Sequence, residues 1–142
     1  MARIKDKLIK LELVPRKYFD FEEDPFILSY FELCLNNKVI FRDFSALLLK
    51  SEYELFLNQL ELILLGTQSS TSFETIEPLL NVNIQRIQDQ LIENIQIVVD
   101  VCRENENEND GHVINVNETT LRKFMDELKQ ELKMTKKPSK LP

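Results

Sequence analysis

The sequence predicts an α+β fold in which an antiparallel sheet of about six strands carries two amphipathic helices on one face. Three observations lead to this fold class. Segments in which apolar and polar residues alternate are separated by connections of hairpin length, which favours antiparallel pairing. Two other segments have helical spacing, and each follows a group of strands instead of a single strand. The 142 residues suit a single α+β domain, predicted over 1–133, with a basic flexible tail over 134–142.

The first predicted strands precede the first helix. Alternation over residues 8–14 indicates a half-buried strand that ends at Pro15. Residues 26–35 and 39–49 form a predicted hairpin, because the intervening segment 36–38 contains two asparagines, which tolerate positive φ in a turn.

The first helix is predicted over residues 52–65. The segment Ser51–Glu54 fits a capping box, and Gly66 stands where a left-handed C-terminal cap belongs. The apolar stripe of this helix comprises Tyr53, Phe56, Leu57, Leu60, Ile63 and Leu64. Three further leucines lie off the stripe and predict that the helix is covered on more than one side: Leu55, Leu62 and Leu65.

Shorter strands and a second helix complete the chain. After a polar loop at 67–72, the strands are predicted at 73–77, 80–85, 95–101 and 112–116. A turn is predicted at 88–90, an acidic loop at 104–110, and a hairpin turn at Asp110-Gly111. Asn117 or Thr119 caps the final helix, whose apolar stripe comprises Leu121, Phe124, Met125, Leu128 and Leu132.

The composition excludes several classes of enzyme and site. Two glycines are too few for a glycine-rich phosphate loop. Cys34 and Cys102 have no metal or redox spacing, and His112 is the single histidine, so we predict no catalytic residue, no metal site and no cofactor. The segment from Glu106 to Asn117 resembles a calcium loop only in its first half, because asparagine at its last position cannot chelate in bidentate fashion.

The N-terminus has no apolar segment typical of a signal peptide, and the apolar runs are too short to cross a bilayer. We therefore expect a cytoplasmic protein with reduced thiols. The four lysines of residues 133–142 are too few for stable membrane attachment.

The charge distribution predicts a protein partner with a basic surface. The chain has 24 acidic and 18 basic residues, and its two ends are basic, so the body between them is strongly acidic. An acidic body argues against nucleic-acid binding and favours docking to a basic protein, although solubility alone could also explain it. The predicted partner-binding residues are Asp20, Glu22, Glu23, Asp24, Glu104, Glu106, Glu108 and Asp110, and Glu74 with Glu77 forms a third acidic group.

The order of elements resembles the WapI-type immunity proteins. Residues 55–84, LFLNQLELILLGTQSSTSFETIEPLLNVNI, have the leucine-rich helix ending in glycine, the polar loop, and a strand that runs through Phe73 and the pair Glu77-Pro78. The closing strand and helix, HVINVNETTLRKFMDELKQEL, are also similar to that family, as is the opening strand with its acidic stretch. The resemblance covers roughly residues 7–133.

This resemblance implies a protein that neutralises the C-terminal toxin domain of a polymorphic secreted or cell-surface toxin. Such toxins are often nucleases with basic surfaces, which an acidic, non-catalytic partner could cover. No interface residue follows from the resemblance. Two alternatives remain from the residues themselves: a structural or regulatory interaction module, self-associating or not, and an enzyme with a concave pocket around a perturbed carboxylate or His112.

Overall fold

The structure is a computed structural model that describes residues 2–6, 8–18, 26–74, 80–87, 94–101 and 110–135. The described residues form two four-stranded antiparallel sheets and two helices. The elements in chain order are β1 (Ala2–Lys5), β2 (Ile9–Tyr18), β3 (Phe26–Leu35), β4 (Lys38–Leu49), α1 (Lys50–Leu64), β5 (Ser70–Glu74), β6 (Leu80–Arg86), β7 (Ile95–Val101), β8 (Asp110–Val116) and α2 (Glu118–Met134). The α+β class with antiparallel pairing is confirmed, but eight strands in two sheets replace the single sheet of about six strands.

The first sheet has the strand order β1-β2-β3-β4, so each strand pairs with its neighbour in sequence. β1 was not predicted, because four residues give too short an alternation to stand out. β2 does not end at Pro15 as predicted but continues to Tyr18. Pro15 lies opposite Ser29, and the register shifts between Pro15 and Lys17. A bulge of this kind accommodates a residue that lacks a backbone N–H.

The hairpin of β3 and β4 is confirmed. Its turn residues Asn36 and Asn37 both have positive φ, at 52° and 66°. Asparagine tolerates this conformation better than most residues do. The pairing runs from Leu35 opposite Lys38 to Phe26 opposite Leu49, with two register shifts along the way.

The second sheet has the order β5-β6-β7-β8. β5 begins at Ser70, inside the predicted polar loop. The hairpin turn predicted at Asp110-Gly111 is wrong, because both residues belong to β8 and lie opposite Val101 and Asp100. An Asp-Gly pair is typical of a hairpin turn, but its pairing with β7 places it at the start of a strand here. The predicted turn at 88–90 lies outside the described residues.

The first helix begins slightly earlier than predicted. Its N-cap is Leu49, and the Glu52 carboxylate accepts a hydrogen bond from the Leu49 N–H at 3.0 Å, so Glu52 takes the capping role predicted for Glu54. At the other end, Gly66 has φ of 79° and donates to the Ile63 carbonyl at 3.1 Å, while the N–H of Thr67 donates to the Leu62 carbonyl at 2.9 Å. This is a Schellman motif, and the predicted glycine cap is confirmed.

The second helix begins at the cap that the sequence predicted. The Asn117 side chain accepts from the Thr120 N–H at 2.9 Å. Arg86, at the end of β6, donates to the Glu118 carboxylate and to the Ile63 carbonyl, and thereby ties the start of α2 to the end of α1. The hydrogen bond from Arg86 lowers the pKa of Glu118.

Both sheets share one core, which the helices complete. The inner faces of the two sheets and the apolar stripes of α1 and α2 belong to one cluster of buried side chains. Phe73 of β5 lies at its centre, with ring centroids 4.7 Å from Phe56, 6.1 Å from Phe31 and 6.2 Å from Tyr53. The helices therefore close the core between two sheets, instead of covering one face of a single sheet. The void in this core measures about 10 Å³, which is space for about one water molecule and not for a substrate.

The leucines that lie off the stripe of α1 are exposed. Leu55, Leu62 and Leu65 are 57%, 37% and 68% exposed, so the prediction that this helix is covered on more than one side is wrong. The six residues of the predicted stripe are all buried. Four of the five stripe residues of α2 are likewise buried, and Leu132 is partly buried against the core.

Candidate partner-binding surface

The predicted partner-binding residues occupy two segments that connect strands. Asp20, Glu22, Glu23 and Asp24 precede β3, and Glu104, Glu106 and Glu108 lie between β7 and β8; these seven residues are outside the described part of the chain. Asp110 is described as the first residue of β8, opposite Val101. Their role in binding therefore stays a prediction.

The strand topology collects acidic positions at one end of the second sheet. β5 ends at Glu74, and Asp100 in β7 lies opposite Gly111 in the same cross-strand row. Asp110 begins β8 in the next row, with Leu80 and Val101, and this row belongs to the opposite, inner-facing side of the sheet. We call the strand positions Glu74, Asp100 and Asp110 the acidic end. Two of the three acidic groups found in the sequence, Glu74 with Glu77 and Glu104–Asp110, are connected to this end, whereas the group at 20–24 belongs to the first sheet.

Gly111 has no side chain, and this leaves space for the Asp100 carboxylate on the neighbouring strand. A Cβ atom at this position would lie 3.0 Å from Oδ1 of Asp100, a contact that the Asp100 side chain could relieve by moving a few tenths of an ångström. The Asp100 carboxylate therefore uses the space beside Gly111.

The outer face of the second sheet is polar but mostly uncharged. Amide side chains alternate with buried core residues along β6, and Gln85 of β6 donates to Gln96 of β7 across the two strands. Asn83 donates to Asn81 within one strand at 3.2 Å. Val113 on the same face is 41% exposed. Short neutral side chains of this kind leave the sheet surface accessible to a partner.

The outer face of the first sheet is instead charged, and its charges form a cross-strand row. Arg3, Glu12, Glu32 and Arg42 lie opposite one another on the four successive strands. The two carboxylates would repel each other as direct cross-strand neighbours. A cation beside each of them offsets this repulsion, with Arg42 at 3.6 Å from Glu32 and Lys10 at 3.2 Å from Glu12.

Glu32 is the centre of this network. Its carboxylate accepts hydrogen bonds from the Tyr30 hydroxyl and, at 3.2 Å, from the Cys34 thiol. Arg16 lies over the Tyr30 ring, 5.7 Å from the centroid, in cation–π geometry. Burial, and then the hydrogen bond to Glu32, raise the pKa of Cys34, so this thiol is held in its unreactive form.

Three cations of this face, Arg3, Lys5 and Lys10, belong to the N-terminal segment that the sequence shows to be basic. The carboxylate side chains of Glu12 and Glu32 are only 8% and 14% exposed, while the cations reach solvent. The sequence did not predict that the basic N-terminal segment joins Arg42 on one face of a sheet. Arg3 and Lys5 alternate with buried Ala2 and Ile4, which is the one local signal that could have revealed part of it.

The described cysteine and the single histidine lie in different sheets. Cys34 lies in β3 of the first sheet, and His112 lies in β8 of the second. Cys102 is outside the described residues. Within the described ranges, no three cysteine, histidine or acidic side chains are grouped as metal ligands. In the same ranges, no helix is long and apolar enough to cross a membrane.

The comparisons with known proteins identify the family. The family model for "Immunity protein WapI-like family" matches residues 3–136. The chain belongs to the WapI-like immunity protein family. A relative from Bacillus subtilis (strain 168), "Immunity protein WapI", is 46% identical over 142 residues and is covered completely, as is this chain. The resemblance noted in the sequence is thus confirmed, and the role of the chain is that of an immunity protein that neutralises a toxin.

Solved structures show that the fold of this WapI-like immunity protein also occurs elsewhere. The crystal structure of WHY3 from Arabidopsis thaliana has a TM-score of 0.54 and 10% identity, covering 92% of this chain and 84% of the other. WHY1 from the same plant gives 0.51 and 14% identity, with 92% and 81% covered. At such identities the likeness concerns the fold alone.

Proposed function

We propose that this immunity protein neutralises a basic toxin domain, a nuclease being one candidate, by tight one-to-one association without catalysis, in the cytoplasm. The acidic segments Asp20–Asp24 and Glu104–Asp110 are the proposed docking surface. Neither nucleic acid nor a membrane is needed as a partner. The observation that supports the Glu104–Asp110 part of the proposal is the topology of the second sheet, which connects this group, and Glu74 with Glu77, to one end.

Electrostatics explains how this surface would act. Opposite charges on two proteins raise the rate of productive encounter, and the effect weakens as salt screens them. Toxin bound at an acidic surface would have its own substrate-binding cations covered. Neutralisation then requires occupancy of the toxin surface and not turnover.

The test measures the association rate with the cognate toxin domain. Replacing Glu104, Glu106 and Glu108 together with glutamine removes three charges from the proposed surface. We expect the association rate constant to fall about tenfold at low ionic strength, and the difference to shrink as salt is added.

The matched control removes three exposed charges from the helices, at Glu54, Glu61 and Asp126. It has the same net charge and should associate nearly as fast as the unmodified chain. Equal slowing in both variants would mean that only net charge matters. An unchanged rate in the loop variant would place the docking surface elsewhere.

A further inference from the structure

The outer face of the second sheet is uncharged over two complete cross-strand rows. Each strand contributes one residue to each row, and the residues are Ser70, Gln85, Gln96 and Asn115 in one row and Ser72, Asn83, Val98 and Val113 in the next. Charged residues make up 30% of the chain, and the row described above on the first sheet is charged at all four positions. The centre of a protein–protein interface is depleted of charged residues, so the two rows have the composition of such a centre.

A depression beside β5 extends this uncharged face towards α1. Its volume is about 450 Å³, within the range of about 300–1,000 Å³ that is usual for sites that receive a ligand. All the described residues that line it are uncharged, and most of them carry an amide or a hydroxyl: Gln59, Gln68, Ser70, Ser72, Asn83 and Gln85. An amide both donates and accepts hydrogen bonds, so the depression can bind backbone or neutral polar groups of a partner.

Gln59 connects the depression to two exposed leucines of α1. Leu55 precedes Gln59 by four residues and Leu62 follows it by three, so the three side chains lie on one face of the helix. Gln59 accepts a hydrogen bond from the Thr71 hydroxyl of β5, which fixes this face of α1 beside the sheet. Leu55 and Leu62 are 57% and 37% exposed. We call the two rows, the lining of the depression, and these two leucines the neutral surface.

The area and the position of the neutral surface favour a toxin domain as its occupant. The two rows cover roughly 260 Å² of sheet, whereas each partner in a standard interface buries about 800 Å². A second copy bound sheet to sheet through these rows would therefore bury too little for a stable dimer. The next row contains Asp100 of β7, and the acidic segment Glu104–Asp110 follows the same strand. A neutral centre beside a charged rim is the usual arrangement of an interface.

We propose that the toxin domain seats an uncharged, partly apolar segment on the neutral surface, with the acidic segment Glu104–Asp110 at the rim of the same interface. This inference rests on the proposed function, because it takes the toxin domain as the partner. The two parts of the interface control different rate constants. Rim charges act on association and its dependence on salt, whereas contacts at the centre act on dissociation.

The first experiment measures the dissociation rate constant of the complex with the cognate toxin domain immobilised on a biosensor. One variant has Leu55→Gln and Leu62→Gln, and a second has Ser72→Arg, which places a long cation in the depression. The three side chains are exposed, so both variants should fold. We expect dissociation to be faster by about tenfold or more in each variant, and the factor for the leucine variant to be the same at low and high salt.

Each variant has a matched control outside the neutral surface. Leu8→Gln with Val39→Gln changes two apolar side chains of the first sheet and its turn, which are 58% and 44% exposed. Thr119→Arg adds the same charge as Ser72→Arg at an exposed position near the start of α2. Both controls should dissociate at the rate of the unmodified chain.

The outcomes separate this inference from the proposed function. If both variants dissociate no faster than their controls while the glutamine variant of Glu104, Glu106 and Glu108 associates slowly, the proposed function stands and the neutral surface is wrong. If the unmodified chain does not bind the toxin domain, both are wrong. A homodimer that Ser72→Arg dissociates would assign the surface to a second copy and would also overturn the inference.

The second experiment needs no variant. The N–H of Arg86 in β6 donates to the Ser69 carbonyl, so the alternate positions Ser70 and Ser72 direct their backbone groups to the open edge of β5. Hydrogen exchange at Ser72 should slow several-fold when the toxin domain binds, whereas exchange along the edge strand β1 should not change. Protection confined to the first sheet would contradict the proposal.

Discussion

The outer faces of the two sheets differ in the side chains that they carry. The first sheet carries a row of four charged residues whose carboxylates are nearly buried and bonded to their neighbours. The second sheet carries amides and exposed valine, with its acidic positions gathered at one end. On the first face the carboxylates are held by hydrogen bonds and ion pairs to their neighbours, whereas on the second face the printed side-chain hydrogen bonds join neutral amides.

The inner faces of the sheets, in contrast, are alike. Both contribute alternate apolar residues to one core, and Phe73 joins them through its contacts with Phe31 of the first sheet and with α1. The two sheets thus differ on their outer sides and not on their inner sides.

The largest expected effect is on the shared core. Phe73→Ala removes a buried ring that contacts three other aromatic rings, and we expect the free energy of unfolding to fall by about 3–5 kcal/mol. The measurement is urea denaturation. Val113→Ala, on the exposed outer face, serves as the control and should change it by less than about 0.5 kcal/mol. Two separate unfolding transitions in the Phe73 variant would show that the sheets do not share one cooperative core.

The outer faces should differ in their tolerance of substitution. Glu32→Ala leaves the Tyr30 hydroxyl and the Cys34 thiol without their acceptor, and it should cost about 1–3 kcal/mol. Asn83→Ala on the second sheet removes a hydrogen bond within one strand and should cost less than about 0.5 kcal/mol. Equal losses in thermal or urea unfolding would contradict the distinction between the two faces.

The smallest expected effect is a dependence of the free energy of unfolding on pH, through a tyrosine that is bonded to the first sheet. Tyr53 of α1 is fully buried, its hydroxyl is hydrogen-bonded to Ser29 of β3, and burial raises its pKa above the usual value. An unfolded tyrosine ionises near pH 10 while the folded one keeps its proton, so the stability that this residue contributes is present below about pH 10 and is lost above it.

Tyr53→Phe should therefore be less stable than the unmodified chain by about 1 kcal/mol at neutral pH, and this difference should shrink as pH rises from about 10 to 11. The free energy of unfolding over this pH range is the quantity to measure. Ser29→Ala keeps the tyrosine and should retain the steep loss of stability. Parallel curves for the unmodified chain and Tyr53→Phe would show that Tyr53 ionises equally in both states.

The sequence predicts the helices well and the sheets less well, for a physical reason. The stripes of α1 and α2 and the caps at Gly66 and Asn117 depend on residues a few positions apart. The division into two sheets depends on pairing over longer distances, and α1 separates the two groups of strands. The continuation of β2 past Pro15 depends on a bulge, and this bulge is visible only in the register of β2 with β3.

The candidate surfaces, like the sheets, could be predicted from the sequence only in part. Acidic segments are visible in the sequence, but their connection to one end of a sheet follows from the strand order. The charged outer face of the first sheet is harder to predict, because Arg42 is about 30 residues from Lys10 in the chain and the strand register brings the two onto one face. The exposure of Leu55 and Leu65 shows that an apolar residue on a helix need not be covered.

The strand order described above also bears on how quickly the protein becomes active. In both sheets every described strand pairs only with its neighbours along the chain, and no pairing joins the two halves of the sequence. Folding rates rise as contacts become more local, because less of the chain must be ordered before each contact forms. The strands of the first sheet can pair while the second sheet is still being synthesised, and the inner face of the first sheet is buried once the remaining strands form. A protein that must be folded before it can protect its cell would benefit from this arrangement.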